Sequence, residues 1–146
     1  MIPDIVLTDA PDPAAHRVLI EGIVQFNRTQ TGAEAPRPLL VLLKHPDTGE
    51  VLGGLSARTG LEWLYIELLY IPNDLRGAGL GAELMRRAET EAAQRGCSGV
   101  WVDTYSFQAR GFYEKLGYKV FGILEDYPPG QSRIFLQKRL AADLLR

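Results

Sequence analysis

The clearest chemistry in this sequence lies in a short run of glycines beside one arginine. The segment RGAGLG follows an apolar strand pattern, Trp63–Ile71, and leads directly into a helical pattern. Glycine has no Cβ, so the backbone can approach an anion closely. The free N–H groups and the dipole of a helix N-terminus favour phosphate at the same place. The sequence therefore predicts a loop that binds a phosphate-bearing ligand through Arg76, Gly77, Ala78, Gly79, Leu80 and Gly81.

The helix that follows this loop is amphipathic. Apolar residues recur every fourth position from Leu80 to Ala92, and charged residues fill the other face. Arg95 and Gly96 have the types expected at a helix C-terminus. Val100–Val102 then has the composition of a buried strand. The glycines thus lie in a strand–loop–helix–strand unit, which is the context that a phosphate loop requires.

Several kinds of loop could have this glycine pattern. A Walker A loop is excluded, because no Gly-Lys-Ser/Thr follows the glycines. A dinucleotide-binding loop fits in its degenerate form, with Asp103 roughly 20 residues on as a ribose-binding acid. Too few residues follow Asp103, however, to complete a doubly wound sheet. The acyl-CoA loop Arg/Gln-x-x-Gly-x-Gly/Ala is matched by Arg76, Gly79 and Gly81, and a purely structural glycine turn is the remaining alternative.

A second motif, SFQARGFYEKLGY, begins at Ser106. It predicts a helix with Ser106 as N-cap, an apolar stripe that includes Ala109 and Tyr113, and Gly117 at its end. With both motifs in this order and at this separation, the chain resembles the GNAT N-acetyltransferase superfamily over roughly two thirds of its length. The second motif together with EDYPPGQS resembles a bacterial subgroup whose acceptors are mostly undefined.

The other patterns complete the predicted fold. A first strand is expected at Ile5–Leu7, a helix at Ala14–Thr29, and further strands at Leu39–Lys44, Val51–Arg58, Tyr118–Leu124 and Ser132–Lys138. This order predicts an α/β protein with a mixed, mostly antiparallel sheet and helices on both faces. The resemblance implies the acyl-CoA N-acyltransferase fold. There the sheet is splayed between its fourth and fifth strands, here Trp63–Ile71 and Val100–Thr104. A single domain over residues 1–146 is the natural size.

The resemblance also implies which residues contact acetyl-CoA and which act in catalysis. Leu69 and Ile71 would contact the pantetheine arm and the acetyl group, with the Leu69 N–H facing the acetyl oxygen. Ser106 replaces the asparagine common in the family, and Ala109 belongs to the same cofactor-binding motif. Tyr113 matches the tyrosine beside the CoA sulfur, where a phenol of pKa near 10 can protonate the leaving thiolate. A core aromatic on an amphipathic helix is its alternative role.

Glu67 is the predicted base. It alternates with Leu69 and Ile71 along a strand, which predicts that its carboxylate shares their face. A carboxylate on an apolar strand suggests a cleft, although a cross-strand ion pair or exposure at an edge would also explain it. As a base it would act through water. The sequence shows no activated nucleophile, and Cys97 is expected to pack, so we expect direct attack in a ternary complex.

Composition limits the partners. With 46% hydrophobic and 23% charged residues and a net charge of −2, the chain has the balance of a globular protein and not of a nucleic-acid binder. Cys97 is the only cysteine, so neither an intramolecular disulfide nor a thiolate metal cluster is expected. No signal peptide or membrane-spanning run is evident. We expect a cytoplasmic protein without a metal, and a homodimer is compatible with the sequence.

The leading hypothesis is an N-acetyltransferase that moves an acetyl group from acetyl-CoA to a primary amine of a small molecule. The alternatives are a non-catalytic CoA-binding sensor or interaction module and, more weakly, a nucleotide-dependent oxidoreductase that uses Asp103. The sequence does not identify the acceptor. We expect it to contact the first helix, the loop Thr31–Pro38 and the linker Asp126–Gln131. Candidate pocket residues are Phe26, Tyr105, Tyr127, Glu67, Asp103 and Asp126, and candidate 3′-phosphate contacts are Arg110 and Lys115.

Overall fold

The computed structural model describes residues 1–140, which form two compact units. The first unit is Met1–Ala35 and the second begins at Pro36. Each unit is described by itself below. The prediction of one domain over residues 1–146 stays a prediction.

The first unit contains one helix, α1 (Pro13–Thr31). The Asp12 carboxylate caps its N-terminus by accepting the Ala15 N–H at 3.0 Å, and Gly32 ends it in the left-handed conformation. The strand expected at Ile5–Leu7 is not formed. A strand needs a neighbouring edge for its backbone groups, and this unit contains no strand that could supply one.

The second unit is built on a six-stranded mixed sheet. Its strands are β1 (Arg37–Lys44), β2 (Val51–Gly60), β3 (Trp63–Tyr70), β4 (Gly99–Tyr105), β5 (Lys119–Glu125) and β6 (Ser132–Arg139). Their order across the sheet is β1-β2-β3-β4-β6-β5. All neighbours are antiparallel except β3 and β4. The predicted mixed, mostly antiparallel α/β fold is confirmed.

Two further helices and one 3₁₀ turn belong to this unit. Helix α2 (Leu80–Gln94) occupies the crossover between β3 and β4, after the 3₁₀ turn Asn73–Leu75, and it contacts β1, β2 and β3. It buries the predicted stripe, including Leu84, Met85, Ala88 and Ala92. Helix α3 is short, Arg110–Lys115, and it begins four residues after Ser106. The prediction that Ser106 caps it is therefore wrong, and its N-cap is Ala109.

The turn between β2 and β3 also differs from the prediction. Leu61 and Glu62 connect the strands, both with positive φ, whereas the sequence had suggested Thr59-Gly60. Two consecutive positive φ angles match the twist of a tight hairpin, which outweighs the usual preference for glycine there. This turn starts β3 at Trp63, in register with Gly99 of β4.

The sheet opens between β3 and β4. These strands pair from Trp63↔Gly99 to Ile66↔Val102 and no further, although both strands continue. β4 stays paired with β6 along its whole length, and β3 stays paired with β2. The opening therefore leaves backbone N–H and C=O groups of β3 beyond Ile66 without a strand partner on the β4 side. Because Ile5–Leu7 forms no strand, the splayed pair is the third and fourth in chain order.

Candidate active site

A cleft of about 830 Å³ lies in the second unit where β3 and β4 separate. Its walls come from the last half of β3, the end of β4, the loop before α3 and α3 itself. Its lining combines apolar side chains with hydroxyl and charged groups, and we call the group Tyr65, Glu67, Asp103 and Arg133 the polar wall. The cleft is lined by the predicted residues Glu67, Leu69, Ile71, Arg76, Gly81, Asp103, Tyr105, Ala109 and Tyr113, and residues not predicted from the sequence are Tyr65, Phe107 and Arg133.

A second cavity, of about 400 Å³, continues from the cleft toward the glycine loop. The two cavities share Ile71, Arg76, Gly81 and Phe112. Gly77 and Gly79 adopt φ of +83° and +78°, in the left-handed region where glycine carries no steric penalty. Gly79 is also the N-cap of α2, so the free N–H groups of the first helical turn open onto this cavity. A phosphate would be held there by backbone donors and the helix dipole.

Gly81 is constrained by packing as well as by its position. A Cβ at this residue would lie 3.1 Å from the ring of Phe112, so a side chain here would displace that ring by a few tenths of an ångström. Around Gly77 and Gly79, by contrast, a Cβ would meet no atom within 4 Å. Substitutions at Gly79 therefore test the loop itself, and substitutions at Gly81 also disturb α3.

Arg76 is tied to the turn that precedes the loop. Its Nε donates to the Ile71 carbonyl oxygen at 2.9 Å, across the 3₁₀ turn. The guanidinium thus fixes the path of the chain from β3 to the loop. The sequence motif indicated Arg76 but not this backbone contact.

A β-bulge at Glu67 changes which face each residue of β3 presents. Ser56 of β2 pairs with Leu68, but the next residue, Ala57, pairs with Ile66, so Glu67 has no partner on β2. Ile66 is buried in the core, and Leu69 packs against the same core. The prediction that Glu67 and Leu69 share a face is therefore wrong, because the inserted residue interrupts the alternation.

Glu67 instead lies on the face that carries Arg58 and Tyr65. Its carboxylate accepts a hydrogen bond from the Arg58 guanidinium at 2.5 Å, and Arg58 also stacks over the Tyr65 ring at 4.9 Å. The Glu67 side chain keeps 35% of its surface exposed and lines the cleft. Glu67 thus forms the cross-strand ion pair named as one alternative and is still accessible from the cleft.

Tyr113 sits at the junction of core and cleft. The residue is only 6% exposed, and its ring packs edge-on against Phe112 and Tyr118. Within residues 1–140 its hydroxyl makes no hydrogen bond, and the residue lines the cleft. Burial, with a smaller contribution from the Asp103 charge, raises the pKa of Tyr113 to about 12. The phenol therefore keeps its proton throughout the neutral range.

Asp103 and Arg133 form a partly buried ion pair on the polar wall. The Asp103 carboxylate accepts from Arg133 at 2.8 Å and from the Tyr65 hydroxyl at 2.9 Å. Burial and these contacts to Asp103 raise the pKa of Tyr65. Arg133, Tyr65 and Arg58 were not singled out in the sequence. In the sequence, Arg58 and Arg133 are only basic residues within predicted strands, and such residues are too common to indicate a site.

The Ser106 side chain makes hydrogen bonds within the protein. Its hydroxyl donates to Gln131 at 2.6 Å and accepts the Ser132 N–H at 2.9 Å, which joins the end of β4 to the start of β6. Ser106 lines neither the cleft nor the cavity at the glycine loop, whereas Ala109 lines the cleft. A contact between Ser106 and the pantetheine arm stays a prediction. Phe26 belongs to the first unit.

Comparison with known proteins identifies the family. The acetyltransferase (GNAT) family matches residues 6–118. The chain belongs to the GNAT acetyltransferase family. It is 36% identical over 134 residues to Acetyltransferase Atu2258 of Agrobacterium fabrum, covering 92% of this chain and 97% of that protein.

Two other relatives support the same assignment. Blasticidin-S acetyltransferase of Streptomyces morookaense is 42% identical over 107 residues, 71% of this chain and 79% of that protein. The crystal structure of an acetyltransferase from Bacillus cereus superposes with a TM-score of 0.76 at 27% identity, over 92% of this chain and 98% of the other. This GNAT protein is therefore an acetyl-CoA-dependent acetyltransferase.

The site fits that assignment and does not fit the oxidoreductase considered from the sequence. Acetyl-CoA requires a phosphate cavity joined to a narrow, partly apolar passage, and the two connected cavities have these properties. An oxidoreductase with a dinucleotide fold would need a parallel doubly wound sheet, but only β3 and β4 are parallel here. Asp103 is engaged by Arg133 and Tyr65. Among residues 1–140, no group of three metal-ligating side chains and no helix capable of crossing a membrane are present.

Proposed function

We propose that this GNAT acetyltransferase transfers the acetyl group of acetyl-CoA to a primary amine of a small molecule, by direct attack in a ternary complex. The observation that carries the proposal is one continuous space. It runs from the glycine loop, past the unpaired edge of β3 at Leu69, to the hydroxyl of Tyr113 and the polar wall. The phosphates, the thioester and the amine each find a chemically matching region along it.

The glycine loop would bind the pyrophosphate through the N–H groups at the start of α2, with residues 76–81 around it. Leu69, Ile71 and Ala109 would flank the pantetheine arm. The Leu69 N–H would donate to the thioester oxygen, which gains negative charge as the amine attacks. A fixed donor in a site with little water is worth more than one in solution, because it need not reorganise.

We assign the two proton transfers to two residues that line the cleft, Tyr113 as the acid and Glu67 as the base. The neutral amine nitrogen forms a bond to the acetyl carbon, and the carbon–sulfur bond breaks. The leaving thiolate takes the phenol proton of Tyr113. The nitrogen loses one proton to Glu67, through water, and Tyr113 regains a proton from solvent after the products leave. An alkyl ammonium of pKa near 10.4 must first lose a proton, which passes through the water of the cleft to solvent, and Glu67 releases the proton that it accepts to solvent after the products leave.

A covalent acetyl-enzyme has no support in the described residues. Cys97 is buried, lines none of the described cavities, and has a pKa raised by burial, all of which disfavour a thiolate nucleophile. Direct attack needs both substrates bound together. Initial-rate kinetics should therefore show intersecting double-reciprocal lines, and parallel lines would contradict the ternary complex.

The acceptor class follows from the nature of the relatives and the size of the cleft. One relative is named for the acetylation of blasticidin S, so we propose small amine-bearing molecules of the antibiotic type as first candidates. The test is to incubate the purified chain with acetyl-CoA and a panel of blasticidin S, aminoglycosides, polyamines, amino acids and peptides. Free CoA thiol and a mass gain of one acetyl group would be followed together.

Acetylation of a small amine, absent in the Gly79→Asp variant, is the expected result. Binding of acetyl-CoA without acetylation of any small amine would contradict the proposed acceptor class. Acetylation confined to peptides would redirect it to protein substrates.

A further inference from the structure

A third cavity opens beside the cleft and is lined almost entirely by rings. It has a volume of about 460 Å³ and is formed by Tyr105, Phe107, Asp126, Tyr127 and Pro128, which we call the aromatic pocket. Tyr105 and Phe107 line both this pocket and the cleft, so the two spaces adjoin. The mechanism proposed above uses none of these five residues.

The rings are arranged as a wall around open space. Tyr105 and Phe107 stack with centroids 5.1 Å apart, and Tyr105 and Tyr127 are tilted with centroids 5.6 Å apart. Phe107 is 58% exposed and Tyr127 is 42% exposed. Three large aromatic side chains grouped at the surface are unusual unless they contact a ligand.

These rings already accept a cation on one side. The Arg133 guanidinium lies 5.7 Å from the Tyr105 centroid and 5.3 Å from the Tyr127 centroid, and it donates to the Tyr127 hydroxyl. The charge of Arg133 is balanced by Asp103. Arg133 therefore brings no unbalanced positive charge to the aromatic pocket, and a second cation can reach the exposed rings of Phe107 and Tyr127.

Asp126 supplies the net charge of the aromatic pocket. No basic group of residues 1–140 lies within salt-bridge distance of its carboxylate. Its φ is +57°, a conformation that aspartate and asparagine tolerate better than most residues. An acid with no ion-pair partner in the described part of the chain, beside three rings, matches a ligand that is both positively charged and able to lie against an aromatic face.

We propose that the aromatic pocket binds a positively charged group of the acceptor, an alkylammonium or a guanidinium, distinct from the amine that is acetylated. The preferred acceptor is then a molecule with at least two basic groups, one directed to the cleft and one held by the rings and Asp126. This inference rests on the proposed function, since the acceptor amine must reach the neighbouring cleft.

A matched pair of substrates tests the charge requirement. Short ω-aminoalkyl-trimethylammonium ions carry a primary amine and a permanent cation. The corresponding ω-aminoalkyl compounds with a tert-butyl group have the same shape without the charge. We expect kcat/KM to favour the cation by roughly tenfold at the best chain length, mainly through KM. Equal kcat/KM for the two series at every length would overturn the proposal.

Variants test which residues cause the preference for the cationic substrate. Asp126→Asn keeps the backbone conformation accessible and removes the charge, so the preference for the cation should fall severalfold. Tyr127→Leu, which removes one ring, should reduce it similarly. Asp47→Asn, at an exposed acid in the turn between β1 and β2, should leave the preference as in the unchanged chain. A preference that Asp126→Asn and Tyr127→Leu do not alter would place the cation elsewhere and overturn the assignment.

A binding measurement separates this inference from the proposed function. Tetramethylammonium chloride, titrated at constant ionic strength and followed by NMR of the aromatic rings, needs no acetyl transfer. We expect shifts in the resonances of Tyr105, Phe107 and Tyr127 that weaken severalfold in Asp126→Asn. Such shifts in a protein that acetylates no small amine would support the pocket and contradict the proposed function. Acetyl transfer with neither ring shifts nor a preference for the cation would contradict the pocket alone.

Discussion

Glu67 and Leu69 stand two residues apart on β3, yet they project to opposite faces of the sheet. The bulge at Glu67 places its carboxylate with Arg58 and Tyr65, while Leu69 turns toward the core. A strand without the bulge would place both residues on one face. The bulge thus brings a charged group to the polar wall and an apolar side chain to the core from positions two residues apart on one strand.

This arrangement predicts a particular pH response for Glu67→Gln. The substitution keeps the shape of the side chain and removes its basicity. If Glu67 accepts the amine proton, the rate should fall most at neutral pH and recover as the pH approaches the pKa of the acceptor amine, near 10.4. Steady-state rates from pH 6 to pH 10 would measure it. A uniform loss at every pH would indicate binding or folding, and no loss would assign the proton to water or Asp103.

Tyr113→Phe should lower kcat while leaving the dissociation constant of acetyl-CoA nearly unchanged. The ring still packs against Phe112 and Tyr118, and only the proton donor is lost. General acid catalysis contributes about 10²–10⁴-fold, which sets the expected decrease. Tyr118→Phe is the matched control: it removes a buried hydroxyl that donates to Glu89 at 2.9 Å, outside the cleft lining. Full turnover in Tyr113→Phe would leave that residue with a packing role only.

The glycine loop can be tested through charge alone. Gly79→Asp and Gly79→Asn introduce side chains of the same size into a left-handed position that both residues tolerate. Only the aspartate places a negative charge at the start of α2, where phosphate should bind. Calorimetry should show that Gly79→Asp loses acetyl-CoA binding by at least roughly tenfold relative to Gly79→Asn. Equal affinities in the two variants would place the pyrophosphate elsewhere.

The raised pKa of Tyr113 predicts a loss of stability in alkali. Burial raises the folded-state pKa to about 12, whereas an unfolded tyrosine titrates near 10. The folded chain therefore holds the proton more tightly. Its contribution to stability is complete below pH 10 and disappears as the pH rises toward 12, by roughly 2–3 kcal/mol in all. Urea denaturation of the unchanged chain and of Tyr113→Phe between pH 8 and pH 11 would measure it. The dependence should be shallower in the variant, and identical slopes would contradict the burial of an ionisable phenol.

Much of the fold could be predicted because the sequence patterns that indicate it lie within single short segments. Helix α2 was correctly predicted from a stripe that repeats every fourth residue, and the strands β1 and β2 were predicted close to their observed bounds from short apolar runs. The prediction of a strand at Ile5–Leu7 was wrong, because three apolar residues do not indicate whether the edge of another strand is available to pair with them. The cap at Ser106 was wrong because its hydroxyl bonds to Gln131 and Ser132, which are distant in sequence.

The site was predictable only in part, for a related reason. The glycine loop and Tyr113 lie in short motifs whose residue types imply their chemistry. The bulge at Glu67 is set by the register between two strands, and nothing in the residues of β3 alone marks it. The ion pair of Asp103 with Arg133 joins residues from β4 and β6, so it depends on the strand order.

The seam between β3 and β4 also bears on how the chain folds. Only the register from Trp63↔Gly99 to Ile66↔Val102 joins the β1–β2–β3 block to the β4–β6–β5 block. The strands of the β1–β2–β3 block are joined by short hairpin turns. The pairing of β3 with β4, by contrast, closes the long crossover through α2. Closing a longer loop costs more chain entropy. We therefore expect the hairpins to form before the seam. The paired seam beside the ligand gap then assembles after these hairpins, as does the pairing of β4 with β6, which spans a similar length of chain.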